Sequence, residues 1–144
     1  MIREYKCDIC EFELWKPVIV LENSHVGLYN DARFPGRLIV ALNEHYENFE
    51  DLDSHIMNNY MRDIQLASRA IKFAIKSKRV NIAILGNAEP HIHAHLIPRF
   101  PDTEEKPNNS PWDDPRPRQK LDDKTTSDIV YHLRQFFASL DHSN

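Results

Sequence analysis

A chain of 144 residues, 41% hydrophobic and 28% charged, has the size and balance of one folded domain built on one core. The net charge of −4 is spread over interspersed acids and bases, so no basic stripe exists to neutralise a phosphate backbone, and long nucleic acid is excluded as a partner. No apolar run approaches the roughly 20 residues that cross a bilayer, which excludes a membrane-spanning role.

The amino terminus, MIREYKCDICEFELWKP, mixes charges of both signs where a signal peptide needs a basic start and an apolar stretch, so a cytoplasmic chain is expected. Its CDIC, Cys7 and Cys10, suits a redox pair or half of a metal site, because a structural disulfide is disfavoured in a reducing compartment. Residues 1–16 are therefore a possible metal-binding segment, with Trp15 expected in the core. From residue 18 the run VIVLEN is β-branched and apolar, SHVGLYN alternates loosely, and RLIVAL follows Pro35 and Gly36; these predict three strands joined by short turns. From Ser54 to Ser77, apolar residues at Ile56, Tyr60, Ile64, Ala67, Ile71 and Ile75 mark a long amphipathic helix, capped by Asp53 or Ser54.

VNIAILGN and HIHAHLIPRF then predict two more strands around a turn at 87–90. Residues 101–124, with Pro101, Pro107, Pro111, Pro115 and Pro117 among many charges, should run irregularly over the surface. Ile129, Leu133, Phe136, Phe137 and Leu140 mark a closing helix over about 125–141. Strands followed by helices in this order predict an α+β domain spanning 1–144, an antiparallel sheet of about five strands with one long helix and a carboxy-terminal helix. The three glycines, Gly27, Gly36 and Gly86, stand in neither GxGxxG nor GxxxxGK(S/T), so a phosphate, if bound, is not held by a glycine-rich cradle.

The chemistry concentrates in PHIHAHLIPR. Side chains of a strand alternate between faces, so His91, His93 and His95 share one face while Ile92, Ala94 and Leu96 share the other. The bland explanation is a half-buried strand with a polar face of histidine, but three imidazoles at alternate positions point to function. They suit either a three-histidine metal site or nucleophilic catalysis by a neutral imidazole whose neighbours hydrogen-bond to phosphate. His25, His55, His132 and His142 carry no assigned role and are expected on the surface or on helix faces.

HIHAHLI followed by Pro98 and Arg99 resembles the histidine triad family, whose signature is His-x-His-x-His followed by apolar residues. GNAEPHIHAHLIPR looks like the branch with a short loop between the two strands, that of the diadenosine polyphosphate hydrolases, and FPGRLIVALNEHYENFEDL looks like the family's strand, histidine and helix entry. The resemblance covers about residues 7–100. It implies a nucleotide hydrolase or transferase in which His93 attacks an α-phosphorus and forms a nucleotidyl-histidine, His95 stabilises charge on the phosphate, and His91 completes the triad.

Asn30 or Asp31 would contact the ribose, Asn87 would lie near the phosphate, Arg99 would belong to the substrate-binding set, and Ile9, Phe12 and Leu28 would line the base pocket. The resemblance also gathers Cys7, Cys10, His45 and His91 into a structural Zn2+ site, and implies a homodimer joined through the long helix and an edge strand, with Trp112 reaching a partner's site. Two departures stand out. Arg37 occupies the place where many members carry a histidine, and its fork would clamp phosphate oxygens. The serine that assists the leaving group has no match in Asn87, Ala88, Glu89 and Pro90. The alternative reading is a catalytically weak nucleotide-binding regulator or interaction module.

Overall fold

The computed structural model describes residue 2 and residues 4–140, so His142 lies outside the described residues. Five strands, β1 (Lys16–Val20), β2 (Ser24–Leu28), β3 (Leu38–Leu42), β4 (Arg79–Ala83) and β5 (His93–Arg99), form one antiparallel sheet in the order β1-β2-β3-β5-β4. Two helices, α1 (Ser54–Ile75) and α2 (Asp123–Leu140), complete an α+β fold. No helix among the described residues is long and apolar enough to cross a membrane.

Alternation decides which side chains meet. On one face Val18, Val26, Leu28, Leu38, Val40, Leu42, Ala94 and Leu96 pack against Tyr60, Ile64, Ala67, Ala70 and Ile71 of α1 and Ile129, Leu133 and Phe137 of α2. Burying this stripe supplies the main drive to fold, since each large apolar side chain removed from water is worth about 2 kcal/mol. Ala67 and Ala70 let α1 lie close to the sheet, and the buried Tyr60 hydroxyl donates to the Val40 carbonyl at 2.8 Å. α1 begins where the Asp53 carboxylate accepts the Ile56 N–H at 2.9 Å and ends where Lys76 turns left-handed, at φ 56°. Just before β3, Gly36 sits at φ 100° with Ile75 packed where a Cβ would stand, 2.5 Å from its Cγ1.

The opposite face is the one that matters for chemistry. Register pairs His93 with Ala41 and His95 with Ile39, so these four side chains project together, away from the helices. The segment of residues 5–15 crosses this face, laying Tyr5, Cys7 and Phe12 on Ile39 and Ala41. Gly27 permits the crossing, because a Cβ there would lie 3.0 Å from Leu14 Cβ and 3.2 Å from the Lys16 carbonyl.

The elements differ from the sequence expectation mainly at their ends. β1 stops at Val20 because Leu21–Asn23 form the turn into β2, and β4 stops at Ala83, leaving 84–92 as a loop. β5 starts at His93: His91 and Ile92 precede it, with the Ile92 N–H drawn to the Tyr46 carbonyl instead of a regular ladder. α1 ends at Ile75, and α2 begins at Asp123, a turn-forming acidic stretch that periodicity alone does not register. Trp15, expected in the core, is 41% exposed, because residues 12–15 cover the sheet from outside.

Candidate active site and metal cluster

A cleft of about 760 Å³ opens on the helix-free face. Its floor is Ile39, His93 and His95; Phe12 and Leu14 wall one side, the loop of Leu85–Glu89 another, and Tyr29, Asn30, Trp112 and Arg118 the third. Each imidazole is oriented by a different partner. His93 is buried and its Nδ1 lies 2.6 Å from the His91 carbonyl. A carbonyl only accepts, so Nδ1 carries the proton and Nε2 keeps its lone pair. Phe12 stacks on this ring at 4.7 Å, holding its plane.

His95 is set the other way. Arg37 Nη2 lies 2.9 Å from His95 Nδ1, and a guanidinium has no acceptor, so Nδ1 accepts and Nε2 carries the proton. Burial, first, then the Arg37 cation and His93 press its pKa down to about 3, which keeps the ring neutral. Arg37 itself is 5% exposed and does not line the cleft; its Nη1 bonds the buried Asp31 at 3.2 Å, and its guanidinium lies 4.0 Å from the centre of the Tyr29 ring.

His91 faces a separate cluster. Its Nε2 meets the Leu42 carbonyl at 2.8 Å, which takes the Nε2 proton and leaves Nδ1 as a lone pair 3.5 Å from Cys10 Sγ. The Tyr5 hydroxyl closes the same corner, 3.0 Å from His91 Nε2 and 3.1 Å from the Leu42 carbonyl. His45 Nδ1 lies 3.7 Å from Cys7 Sγ, and the four ligand atoms of Cys7, Cys10, His45 and His91 all fall within 4.8 Å of one another. A tetrahedral zinc with bonds of ~2.3 Å to sulfur and ~2.0 Å to nitrogen has S···N edges of roughly 3.5 Å, so donor type and spacing both fit that ion. Both cysteines are free thiols. Burial opposes ionisation of Cys7, but the backbone N–H groups of Cys10 and Ile9 outweigh it and bring that thiol below its ordinary value.

The expected site residues thus divide. His93, His95, Asn30 and Asn87 come together around the cleft, with Phe12 and Leu28 in its wall. Asn30 Oδ1 is engaged by the Leu121 N–H at 2.8 Å. Asp31 does not reach the cleft: it is fully buried between Arg33 and Arg37, whose bonds overcome burial and hold its carboxyl below the usual range. Arg99 also lies elsewhere, spent on Glu104 at 2.9 Å, Asn81 at 2.7 Å and the Asn109 carbonyl at 2.8 Å. Ile9 is 73% exposed beside the cysteines and takes no part in the cleft. His25, expected on the surface, is buried against the Tyr5 ring with Nδ1 2.6 Å from Asn43 Oδ1. Trp112 sits 5.6 Å from His95 of its own chain. Tyr29 and Arg118, which donates to the Tyr29 hydroxyl, were not anticipated; neither carries a sequence signal beyond its residue type.

The HIT domain family model matches residues 16–102. A bis(5'-adenosyl)-triphosphatase of Saccharomyces cerevisiae is 38% identical over 72 residues, which is 46% of this chain; the chain spans only 35% of that relative's length. A histidine triad protein from Bradyrhizobium japonicum superposes with a TM-score of 0.75 at 28% identity, covering 83% of this chain and 87% of the other. A Zn-bound histidine triad family protein from Mycobacterium smegmatis superposes with a TM-score of 0.66 at 21% identity, over 89% of this chain and 87% of the other. With the family model matching more than half of its residues, the triad included, the chain belongs to the HIT domain family.

Proposed function

We propose that the chain is a nucleotide hydrolase or transferase that attacks the α-phosphorus of a nucleotide ester, anhydride or phosphoramidate through a nucleotidyl-histidine intermediate. The observation that carries this reading is the 2.6 Å contact from His93 Nδ1 to the His91 carbonyl, which leaves an unprotonated Nε2 on the floor of a cleft large enough for a nucleotide. Nε2 forms a bond to phosphorus as the bond to the leaving group breaks; the leaving atom takes the electron pair and a proton from solvent. Water then attacks phosphorus, the N–P bond returns its electron pair to Nε2, the water's proton passes to solvent, and a nucleoside monophosphate departs. The His95 Nε2–H donates to a phosphate oxygen and gains strength as charge builds there. Asn87 donates to the phosphate from the loop, Asn30 contacts the ribose, and the base rests against Phe12 and Tyr29. The name of the yeast relative favours dinucleoside polyphosphates among the substrates.

Cys7, Cys10, His45 and His91 would hold a structural Zn2+. A closed Cys₂His₂ set offers no open position, so these residues would use the ion for folding energy and would tie residues 5–15 to the sheet beside His93. The Zn-bound relative from M. smegmatis supports that choice of metal. A homodimer joined through β4 and α1 is supported by the place of β4 at the sheet edge and by Ile82 and Phe73, 50% and 55% exposed.

The test is to incubate the protein with diadenosine triphosphate and with adenosine phosphoramidate and to assay adenosine monophosphate. Release that vanishes in His93→Ala, with nucleotide binding retained, is the expected result. Tight binding without turnover of either compound would replace the enzyme by a binding module.

A further inference from the structure

The geometry assigns to Arg37 a role as positioning residue: through a bond from Nη2 to His95 Nδ1 it locks His95 as the Nε2–H tautomer, the form that presents a proton to the cleft. The assignment rests on the nucleotidyl-transfer reading for its catalytic consequence, though not for the tautomer itself.

Arg37 immediately precedes β3, two positions before Ile39, the register partner of His95, and the fold spends its fork on two buried partners rather than on the open cleft. Nη1 reaches the fully buried Asp31 and Nη2 reaches His95. Asp31 supplies the counter-charge that makes a buried guanidinium tolerable, and Arg33 braces the same carboxylate, Nη2 on the shared Oδ2 at 2.9 Å and Nε on Oδ1 at 3.0 Å. The guanidinium carbon lies 4.0 Å over the centre of the Tyr29 ring. The chain Asp31, Arg37, His95 therefore ends in an imidazole nitrogen that must accept, and the proton it would otherwise carry is forced to the opposite edge of the ring. A histidine or lysine in place of Arg37 has no rigid fork with which to bridge both partners.

Of the neighbours, His93 acts in the same sense. His93 faces His95 from the same strand at 5.0 Å between ring centres, Tyr29 and Trp112 meet its edges at 6.0 Å and 5.6 Å, and Arg118 lies on Tyr29. Glu13 and Glu89 line the same cleft and are the acidic groups on that side. A cation at Nδ1 and a neutral ring give His95 one fixed donor across the physiological range, so its hydrogen bond to phosphate does not titrate.

The experiment begins on the unsubstituted protein, which requires no variant to fold. Nitrogen-15 spectra of the histidines at pH 7 should show His95 neutral, protonated at Nε2 and bare at Nδ1, and unchanged on acidification to about pH 4. In Arg37→Met, which leaves the ring buried but removes the cation beside it, His95 should take up a proton at a higher pH than in the unsubstituted protein. Its kcat at pH 7.5 should fall about 10- to 100-fold and recover in part on acidification, as the ring takes up a proton and again offers an Nε2–H. Arg37→Lys should keep some of the lock and lie between. His95 found as the Nδ1–H tautomer or as a cation at pH 7 in the unsubstituted protein overturns the assignment, as does an Arg37→Met protein whose pH profile is merely scaled down without an acid shift. Absence of turnover in the unsubstituted protein, with the Nε2–H tautomer present, overturns the catalytic reading and supports the lock itself.

Discussion

In the cysteine–histidine cluster the Leu42 carbonyl takes the Nε2 proton of His91 and turns Nδ1 toward the thiols. Two residues on, the His91 carbonyl takes the Nδ1 proton of His93 and turns Nε2 toward the cleft. Neighbouring imidazoles of one short motif are thus turned different ways, one with its lone pair toward two thiols and one with its lone pair toward the cleft, and the backbone makes the distinction. The two regions also share parts: the His91 ring belongs to the cluster while its carbonyl orients His93, and Phe12 stacks on both rings, at 5.2 Å from His91 and 4.7 Å from His93. Coupling between them is built into one residue and one aromatic plate.

Substitutions can separate the regions or break them together. The largest effect belongs to His93→Ala, which removes the nitrogen proposed to attack phosphorus and should lower kcat by at least about a thousandfold. Because His93 lies outside the cluster, zinc content by elemental analysis and the melting temperature should stay close to those of the parent; loss of metal in this variant would mean that the regions are one site. Cys10→Ser comes next. It takes one soft ligand from a closed set and should cost about 3 kcal/mol or more of stability in metal-loaded protein, read by denaturant unfolding, with loss of bound zinc. Equal stability with and without chelator would remove the structural metal.

Phe12→Ala tests the shared plate. Its truncation should cost about 2–3 kcal/mol, and it should weaken both metal retention and kcat, measured on the same preparation. A change confined to one of the two would show that Phe12 merely covers a surface. The smallest effect is the pH dependence of stability. His95 binds its proton less readily when folded, at about 3, than in the unfolded chain, near 6.5, so between these values the unfolded state holds more protons. The stability it contributes is fully present above pH 6.5 and is lost progressively as pH falls toward 3. Asp31, lowered by Arg33 against burial, adds a loss of the same sign below its ordinary range, whereas Asp63, raised chiefly by burial, works in the opposite direction. Urea midpoints at pH 7.5, 6 and 5 check the sign: a midpoint that rises on acidification would contradict the buried neutral His95.

Much of the fold was legible before any coordinate. The alternation in SHVGLYN and RLIVAL, and the stripe from Tyr60 through Ile71, follow from periodicities that backbone geometry imposes on any chain. Boundaries were less so: His91 and Ile92 look like strand in sequence, yet the Tyr46 carbonyl captures the Ile92 N–H, a contact 46 positions back along the chain. The exposed Trp15 was misjudged for a related reason, since apolar character does not say from which side a segment covers a sheet. Within the site, the triad and CxxC announce themselves by spacing. Arg37, Asp31 and Arg99 do not, because a charged side chain's role depends on which partner it finds in three dimensions.

The amino-acid sequence by itself determined the sheet's two-sided pattern, the shared face of His93 and His95, and a donor set of two thiols and two imidazoles suited to a soft ion. Only the tertiary structure decided which nitrogen of each ring carries the proton, that Asp31 and Arg99 are spent on internal ion pairs, and that Arg37 addresses His95. Residue type and spacing specify what a side chain is able to do, whereas protonation and orientation depend on acceptors brought alongside by folding: a carbonyl of β3 for His91, a carbonyl of its own segment for His93, and a guanidinium for His95.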